Sequence, residues 1–343
     1  MSSILNAVVV GVGRMGQHHA RNYAKIEGSK LAAVVDFNLE AAEKVAASYG
    51  CKAFKTVEDL LASGLKVDCA TVAVPTVHHR GVAEKLIPAG VDVLIEKPLG
   101  PSVADCQAMV DLAKKHGRIL QVGHTERFNP ATVAFKKYEV HPKFIEVHRI
   151  SPMTFRSVDV GVVLDMMIHD LDIVNHLVKS PIAEVRAVGV AVIGKFEDIA
   201  NARLTFRNGC VANLTASRLA LRTERRMRLF SPDMYLSVDY QKKAGSIITK
   251  TANEEQLSHV REELAGGRIT DLQQLDYTKL VKYEDLKIVD AEPVKAELES
   301  FQQCIRTRGA PEVSGEDGLA AVDLAIRVTT CIAEHKWDGF TQF

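Results

Sequence analysis

VVVGVGRMG, residues Val8–Gly16, decides the fold. Three valines read as a buried strand, and the spacing Gly11-x-Gly13-x-x-Gly16 follows at once, opening onto the helix-like stretch Gln17–Ile26. In this context each glycine has a reason. Gly11 permits a tight turn, Gly13 lets backbone approach a pyrophosphate, and Gly16 allows a helix to pack close on its strand. The helix start, with Arg14 and Met15, then offers free N–H groups and a partial positive charge to phosphates. A second apolar run ends at Asp36, 20 residues past Gly16, where a carboxylate accepts ribose hydroxyls. That carboxylate would repel a 2′-phosphate, and neither Phe37 nor Asn38 is basic, so the expected cofactor is NAD rather than NADP.

Outward from this turn, strand-like runs at Ala7–Val10, Leu31–Val35, Cys69–Ala73, Val91–Ile95 and Ile119–Val122 alternate with helix-like segments. Such alternation predicts βαβ units and a doubly wound parallel sheet. After about residue 124 the pattern changes to strands with few long helices between them. FRNGC (Phe206–Cys210) carries an Asn-Gly hairpin signal. The expected architecture is α/β: a Rossmann domain over residues 1–124, then an α+β domain over 125–343 with a large, mostly antiparallel, open-faced sheet. The polar stretch Thr249–Gln274 reads as a surface excursion or mobile flap, and Val162–Leu177 as an amphipathic helix.

Composition bounds the function. Lys+Arg and Asp+Glu both number 43, which argues against nucleic acid or an anionic membrane as partner. Six scattered cysteines form no CxxC pair, so neither a zinc site nor a disulfide framework is expected, and no metal is. No apolar run reaches membrane-spanning length, and no basic segment precedes Ala7–Val10 as in a secretory signal. A cytoplasmic protein is expected.

Ligands of a doubly wound sheet lie beyond the carboxyl ends of its strands. Two strands end unusually there: one runs into Pro75-Thr76 with His78-His79, the other into Glu96-Lys97-Pro98. Either X-Pro bond is a candidate for cis geometry. His78 reads as a surface residue. In the second half, Asp165 and His169 stand four apart on one predicted helix face, the arrangement by which a carboxylate orients a histidine base. An exposed, ion-paired helix face is the alternative reading.

Together, the glycine turn, Asp36, Pro75-Thr76 with His79, Glu96-Lys97-Pro98 and Asp165-x-x-x-His169 resemble, in order and spacing, the Gfo/Idh/MocA oxidoreductases. SGEDGLAAVDLAIRV (Ser314–Val328) resembles that family's final helix. Thr76 departs from the pattern, since many relatives carry Asn there. VGHTERFNPA (Val122–Ala131) and RSVDVGVVLDMMIHDLD (Arg156–Asp172) look most like the UDP-N-acetylglucosamine 3-dehydrogenase branch. The resemblance implies oxidation of a ring hydroxyl with NAD, feeding a PLP aminotransferase for a 2,3-diamino sugar of lipid A. It implies cofactor contacts from Gly11, Gly13, Arg14, Met15, Gly16, Asp36, Pro75, Thr76, His79, Glu96 and Lys97. Catalytic roles fall on Lys97, His169 and Asp165, with either Lys97 or His169 as base. Arg127 and Arg156 are the expected diphosphate ligands, beside Lys97 and His169. Homodimers or homotetramers built through the open sheet face are implied as well. The alternatives are a relative acting on another sugar or inositol, and a silent NAD sensor, which would need no base.

Overall fold

The computed structural model describes residues 4–153, 160–267 and 277–337. Its strands are β1 (Leu5–Val10), β2 (Ser29–Val35), β3 (Lys52–Phe54), β4 (Cys69–Val72), β5 (Asp92–Glu96), β6 (Leu120–Gly123) and β7 (Phe144–Ile150). They continue with β8 (Ile182–Val190), β9 (Ile199–Phe206), β10 (Val211–Ser217), β11 (Glu224–Phe230), β12 (Met234–Asp239), β13 (Ala244–Lys250) and β14 (Val281–Asp285). The helices are α1 (Arg14–Tyr23), α2 (Leu39–Tyr49), α3 (Val57–Ala62), α4 (His79–Leu86) and α5 (Val103–Lys115). Then come α6 (Pro130–Phe135), α7 (Ile168–Val178), α8 (Glu254–Ala265), α9 (Pro293–Thr307) and α10 (Gly315–Glu334).

Two compact units share the chain. The first comprises Met1–Asn129, Val163–His176 and Ala291–Glu334. Its sheet is parallel throughout, in the order β3-β2-β1-β4-β5-β6, with the order reversing between β1 and β4. Its central strands are buried along their whole length, which is why they read as unbroken apolar runs. One side of the core joins α1 residues Ala20 and Tyr23 to Val9, Val34 and Leu94, and α9 closes it with Leu298, Phe301 and Ile305. On α10, a Cβ at Gly315 would come within 2.7 Å of Leu120, and one at Gly318 within 2.6 Å of Val122, so small residues let this helix sit on β6.

The second unit comprises Pro130–Val162, Leu177–Asp290 and His335–Phe343. Its eight strands run β14-β13-β12-β11-β7-β10-β9-β8, with β7 and β10 parallel and the other pairs antiparallel. Burial alternates along the strands: Ile145, Val147, Ala212 and Leu214 point to the covered face. Glu146, His148, Asn213 and Thr215 point to the other. The Asn208-Gly209 turn joins β9 to β10, with Gly209 at φ +81°.

The described part of the polar stretch Thr249–Gln274 holds the helix α8, started by a capping box of Asn253 and Gln256 and burying no residue, while residues 268–274 lie outside the described residues. One local expectation is corrected. The predicted helix over Val162–Leu177 is not uniform: Val163–Met167 forms one π-helical turn before α7.

Candidate active site

Three glycines shape the first edge of the site, and the structure separates their roles. Gly11 has φ +90°, and a Cβ there would lie 2.6 Å from the Ala73 carbonyl oxygen. A Cβ on Gly16 would lie 1.8 Å from the Gly11 oxygen. Both are fixed by packing. Gly13 is different, because a Cβ there meets nothing within 4 Å. It caps α1 without a side-chain hydrogen bond, leaving the first-turn amides facing open space. Arg14 is exposed and Met15 half-buried at this helix start. Asp36 ties the second strand end to the turn: its Oδ2 accepts from Val12 N at 2.8 Å and its Oδ1 from Asn38 N at 2.9 Å. A dinucleotide fits this cradle, with phosphates at the α1 amides and a ribose at Asp36. Gly13→Val should therefore fold normally yet weaken NAD binding about tenfold or more, measured by titration calorimetry. An unchanged Kd in that variant would remove the phosphates from this turn.

Pro75 is exposed and Thr76 half-buried beyond β4. His79 is buried, with Nδ1 3.1 Å from the Leu99 oxygen and Nε2 2.9 Å from the Val74 oxygen. Burial pushes its pKa down, against those contacts. A neutral ring has one N–H and donates to only one of the two carbonyls at a time, so His79 sits between the two strand-end loops and ties one to the other by packing and a single hydrogen bond.

The Lys97–Pro98 peptide bond is cis. Glu96, the last residue of β5, turns inward, and its Oε1 lies 2.6 Å from His19 Nε2 on α1. Lys97 turns the other way. Its Nζ donates to the Asp165 carbonyl oxygen at 2.7 Å and stands 3.5 Å from Asp165 Oδ1. The π-helical turn explains the first contact. Bonding i→i+5 changes the path of the backbone around Asp165, and such turns concentrate at functional positions. The carboxylate expected to serve His169 is thus engaged with Lys97, while His169 follows in the first turn of α7.

A residue not singled out in the sequence stands beside it. The His124 ring is edge-on to the His169 ring, with centroids 6.2 Å apart and planes at 89°. His124 is fully buried, and neither ring nitrogen has a hydrogen-bond partner among the described residues. Burial holds its pKa down, so it is a neutral ring among charged neighbours. No pattern in VGHTERFNPA distinguishes it; only the fold brings it to His169.

Arg127 is buried as well. Its guanidinium is 1% exposed and grips Asp172 through two bonds, Nε–Oδ2 at 2.6 Å and Nη2–Oδ1 at 2.7 Å. Its Nη1 donates to His176 Nδ1 at 2.6 Å. A guanidinium held in this way fastens the segment before α6 to α7. Arg156 lies outside the described residues.

The chain as a whole resembles known proteins. Residues 5–124 match the GFO/IDH/MocA oxidoreductase family, NAD-binding Rossmann fold, and residues 143–233 match the GFO/IDH/MocA C-terminal domain. The chain is 42% identical over 233 residues to the UDP-N-acetylglucosamine 3-dehydrogenase of Acidithiobacillus ferrooxidans, covering 68% of this chain and 73% of that one. The chain belongs to the Gfo/Idh/MocA family. A solved structure of the Acidithiobacillus enzyme superposes with a TM-score of 0.83 at 33% identity, covering 96% of this chain and 97% of that one. A more distant Gfo/Idh/MocA relative, the inositol 2-dehydrogenase of Rhizobium meliloti, is 26% identical across 96% of this chain and 97% of its own. This member of the family is an NAD-dependent dehydrogenase. None of its described helices is long and apolar enough to cross a membrane.

Proposed function

We propose that this chain oxidises the 3-hydroxyl of UDP-N-acetylglucosamine to the 3-keto sugar nucleotide. The product would feed a PLP aminotransferase that makes a 2,3-diamino sugar for lipid A. One observation carries the reading: Lys97 Nζ is anchored 2.7 Å from the Asp165 oxygen at the carboxyl edge of β5, with His169 four residues on. The 42% identity to an enzyme named for this substrate supports the choice among sugars.

An alcohol proton must leave as hydride departs, and its pKa lies far above neutrality. NAD, when bound, supplies the hydride acceptor. Lys97 brings a positive charge to the substrate oxygen and stabilises the alkoxide that develops there. His169 takes the proton. Asp165, through carbonyl and carboxylate, fixes the ammonium and limits where it points. His169→Ala should lower kcat about a hundredfold to ten-thousandfold with NAD affinity retained. A loss below about tenfold would shift the base role to Lys97.

We further place the enzyme in the cytoplasm as a homodimer or homotetramer. Six free cysteines suit a reducing compartment, and the half-exposed face of the second sheet offers a surface for self-association. The direct test of function incubates the purified protein with NAD and UDP-N-acetylglucosamine, adding an aminotransferase and glutamate to draw off the ketone. NADH should accumulate. Turnover with myo-inositol but not with the sugar nucleotide would favour the second reading, an inositol dehydrogenase, for which the Rhizobium relative speaks. A silent NAD sensor would turn over neither.

A further inference from the structure

Behind Lys97 lies a buried cluster of side chains that the proposed chemistry does not use. His19 of α1, Glu96 at the end of β5 and Glu297 of α9 bring one side-chain atom each to within 4.8 Å of one another. His19 and Glu297 have no exposed surface and Glu96 has 8%. The His19–Glu96 contact, at 2.6 Å, is a short hydrogen bond. Glu297 Oε2 accepts from Thr125 Oγ1 at 3.1 Å, whereas Oε1 has no partner among the described residues; nor has Nδ1 of His19.

Charge decides the protonation state. One histidine can balance one carboxylate at most, not two, and a second buried anion close to the first is strongly disfavoured. Glu96 holds the imidazole, and its Oε2 also accepts from Lys97 N at 3.3 Å. Glu297 has a threonine hydroxyl and no cation of its own. The other titratable groups that act on this cluster are Lys97, His124 and His79, near Glu96, and Tyr23, near Glu297.

We propose that His19, Glu96 and Glu297 form a proton-holding clamp, with Glu297 a neutral carboxylic acid, and that this clamp positions Lys97 for reaction. The backbone supplies the linkage: Glu96 immediately precedes Lys97, and its carboxylate fixes the Lys97 amide from one side and α1 from the other. The pKa directions agree. Burial and the nearby Glu96 charge push Glu297 well up. Burial alone would raise Glu96 too, but the hydrogen bond and charge of His19, with Lys97, hold it below the usual range. These three are positioning residues, and their role in turnover rests on Lys97 acting on the substrate as proposed above.

Infrared difference spectroscopy tests the clamp without any substrate. Wild type minus Glu297→Gln at pH 8 should show the carbonyl stretch of a protonated carboxyl, absent from the variant. Turnover is then read with UDP-N-acetylglucosamine, or with myo-inositol if that is the working substrate. Glu297→Ala should lower kcat about tenfold with KM little changed, and Glu297→Gln, the neutral isostere, should restore most of it. Glu96→Gln leaves His19 without its anion and should not be rescued in this way. Absence of the carboxyl band would overturn the clamp. So would a Gln variant as impaired as the Ala variant, or a stoichiometric divalent cation in the purified enzyme that Glu297→Gln abolishes. Failure of both substrates, with the band present, would count against the function reading and not against the neutral acid.

Discussion

Replacing Lys97 by alanine should lower kcat roughly a thousandfold while leaving NAD affinity within about threefold. The magnitude follows from one charge. An ammonium about 4 Å from a developing alkoxide contributes roughly 4 kcal/mol at an effective dielectric near 20, and each 1.4 kcal/mol is about tenfold in rate. The effect should fall on kcat, because the alkoxide charge exists only as the hydride leaves. NAD affinity should survive, because the phosphate cradle at Gly13 and the ribose carboxylate Asp36 are built from other strands. Lys97→Arg should not rescue. A planar guanidinium on a longer stem cannot donate to the Asp165 carbonyl at 2.7 Å and leave a point charge in the same place. Single-turnover NADH formation, with NAD titrated separately, makes the measurement. A variant that loses NAD affinity and kcat in parallel would recast Lys97 as a cofactor ligand.

The second large effect is on stability. Asp172→Ala should destabilise the first unit by about 3–5 kcal/mol, because it strands a buried guanidinium. Arg127 is 1% exposed, and Asp172 accepts two of its bonds. Asp317, 3.6 Å away, cannot take over both. The double variant Arg127→Met/Asp172→Leu should recover much of the loss, since removing both charges removes the stranded one. Hydrogen exchange in α7, followed through urea unfolding, reads this directly. His169 lies one turn before Asp172, so the single variant should lose catalysis as well as protection. A destabilisation below about 1 kcal/mol would mean the bridge is solvated and worth no more than a surface pair.

What could be read from the sequence was what depends on neighbours in the chain. The glycine turn, the strand ending in Asp36, the β5 end at Glu96-Lys97-Pro98 and the Asn208-Gly209 hairpin are each local patterns with one physical solution. The helix α8 was legible in principle through Asn253 and Gln256, three apart, but it buries no side chain and shows no apolar stripe. Strand β3, three residues long, offers too little pattern to read. The contacts of Arg127 and His79 could not be read in this way. A sequence shows that a cation or an imidazole exists, not what it touches. Asp172 is 45 residues from Arg127, and the carbonyls that occupy His79 belong to two different loops. The His19–Glu96 contact spans 77 residues, and His124 reaches His169 only through the fold. The widened turn at Asp165 could not be anticipated, because an even 3.6-residue period places Asp165 under His169 and hides the carbonyl that Lys97 finds.

The late return of the chain to the first unit bears on how this protein is made. Val122 N donates to the Val313 oxygen, Gln121 bridges to Ser314, and α9 lays Leu298 and Phe301 over the apolar side of the early strands. A ribosome delivers those residues only after the second sheet. During synthesis the nascent dinucleotide unit waits with an uncovered apolar flank and an unfilled position beside Glu96, and synthesis of the entire second sheet intervenes. Chains released early, by a premature stop or a stalled ribosome, would carry the glycine cradle but lack Glu297 and the covering helix. Such fragments should be open to chaperones and proteases, so a working dehydrogenase site forms only on a chain translated past α9.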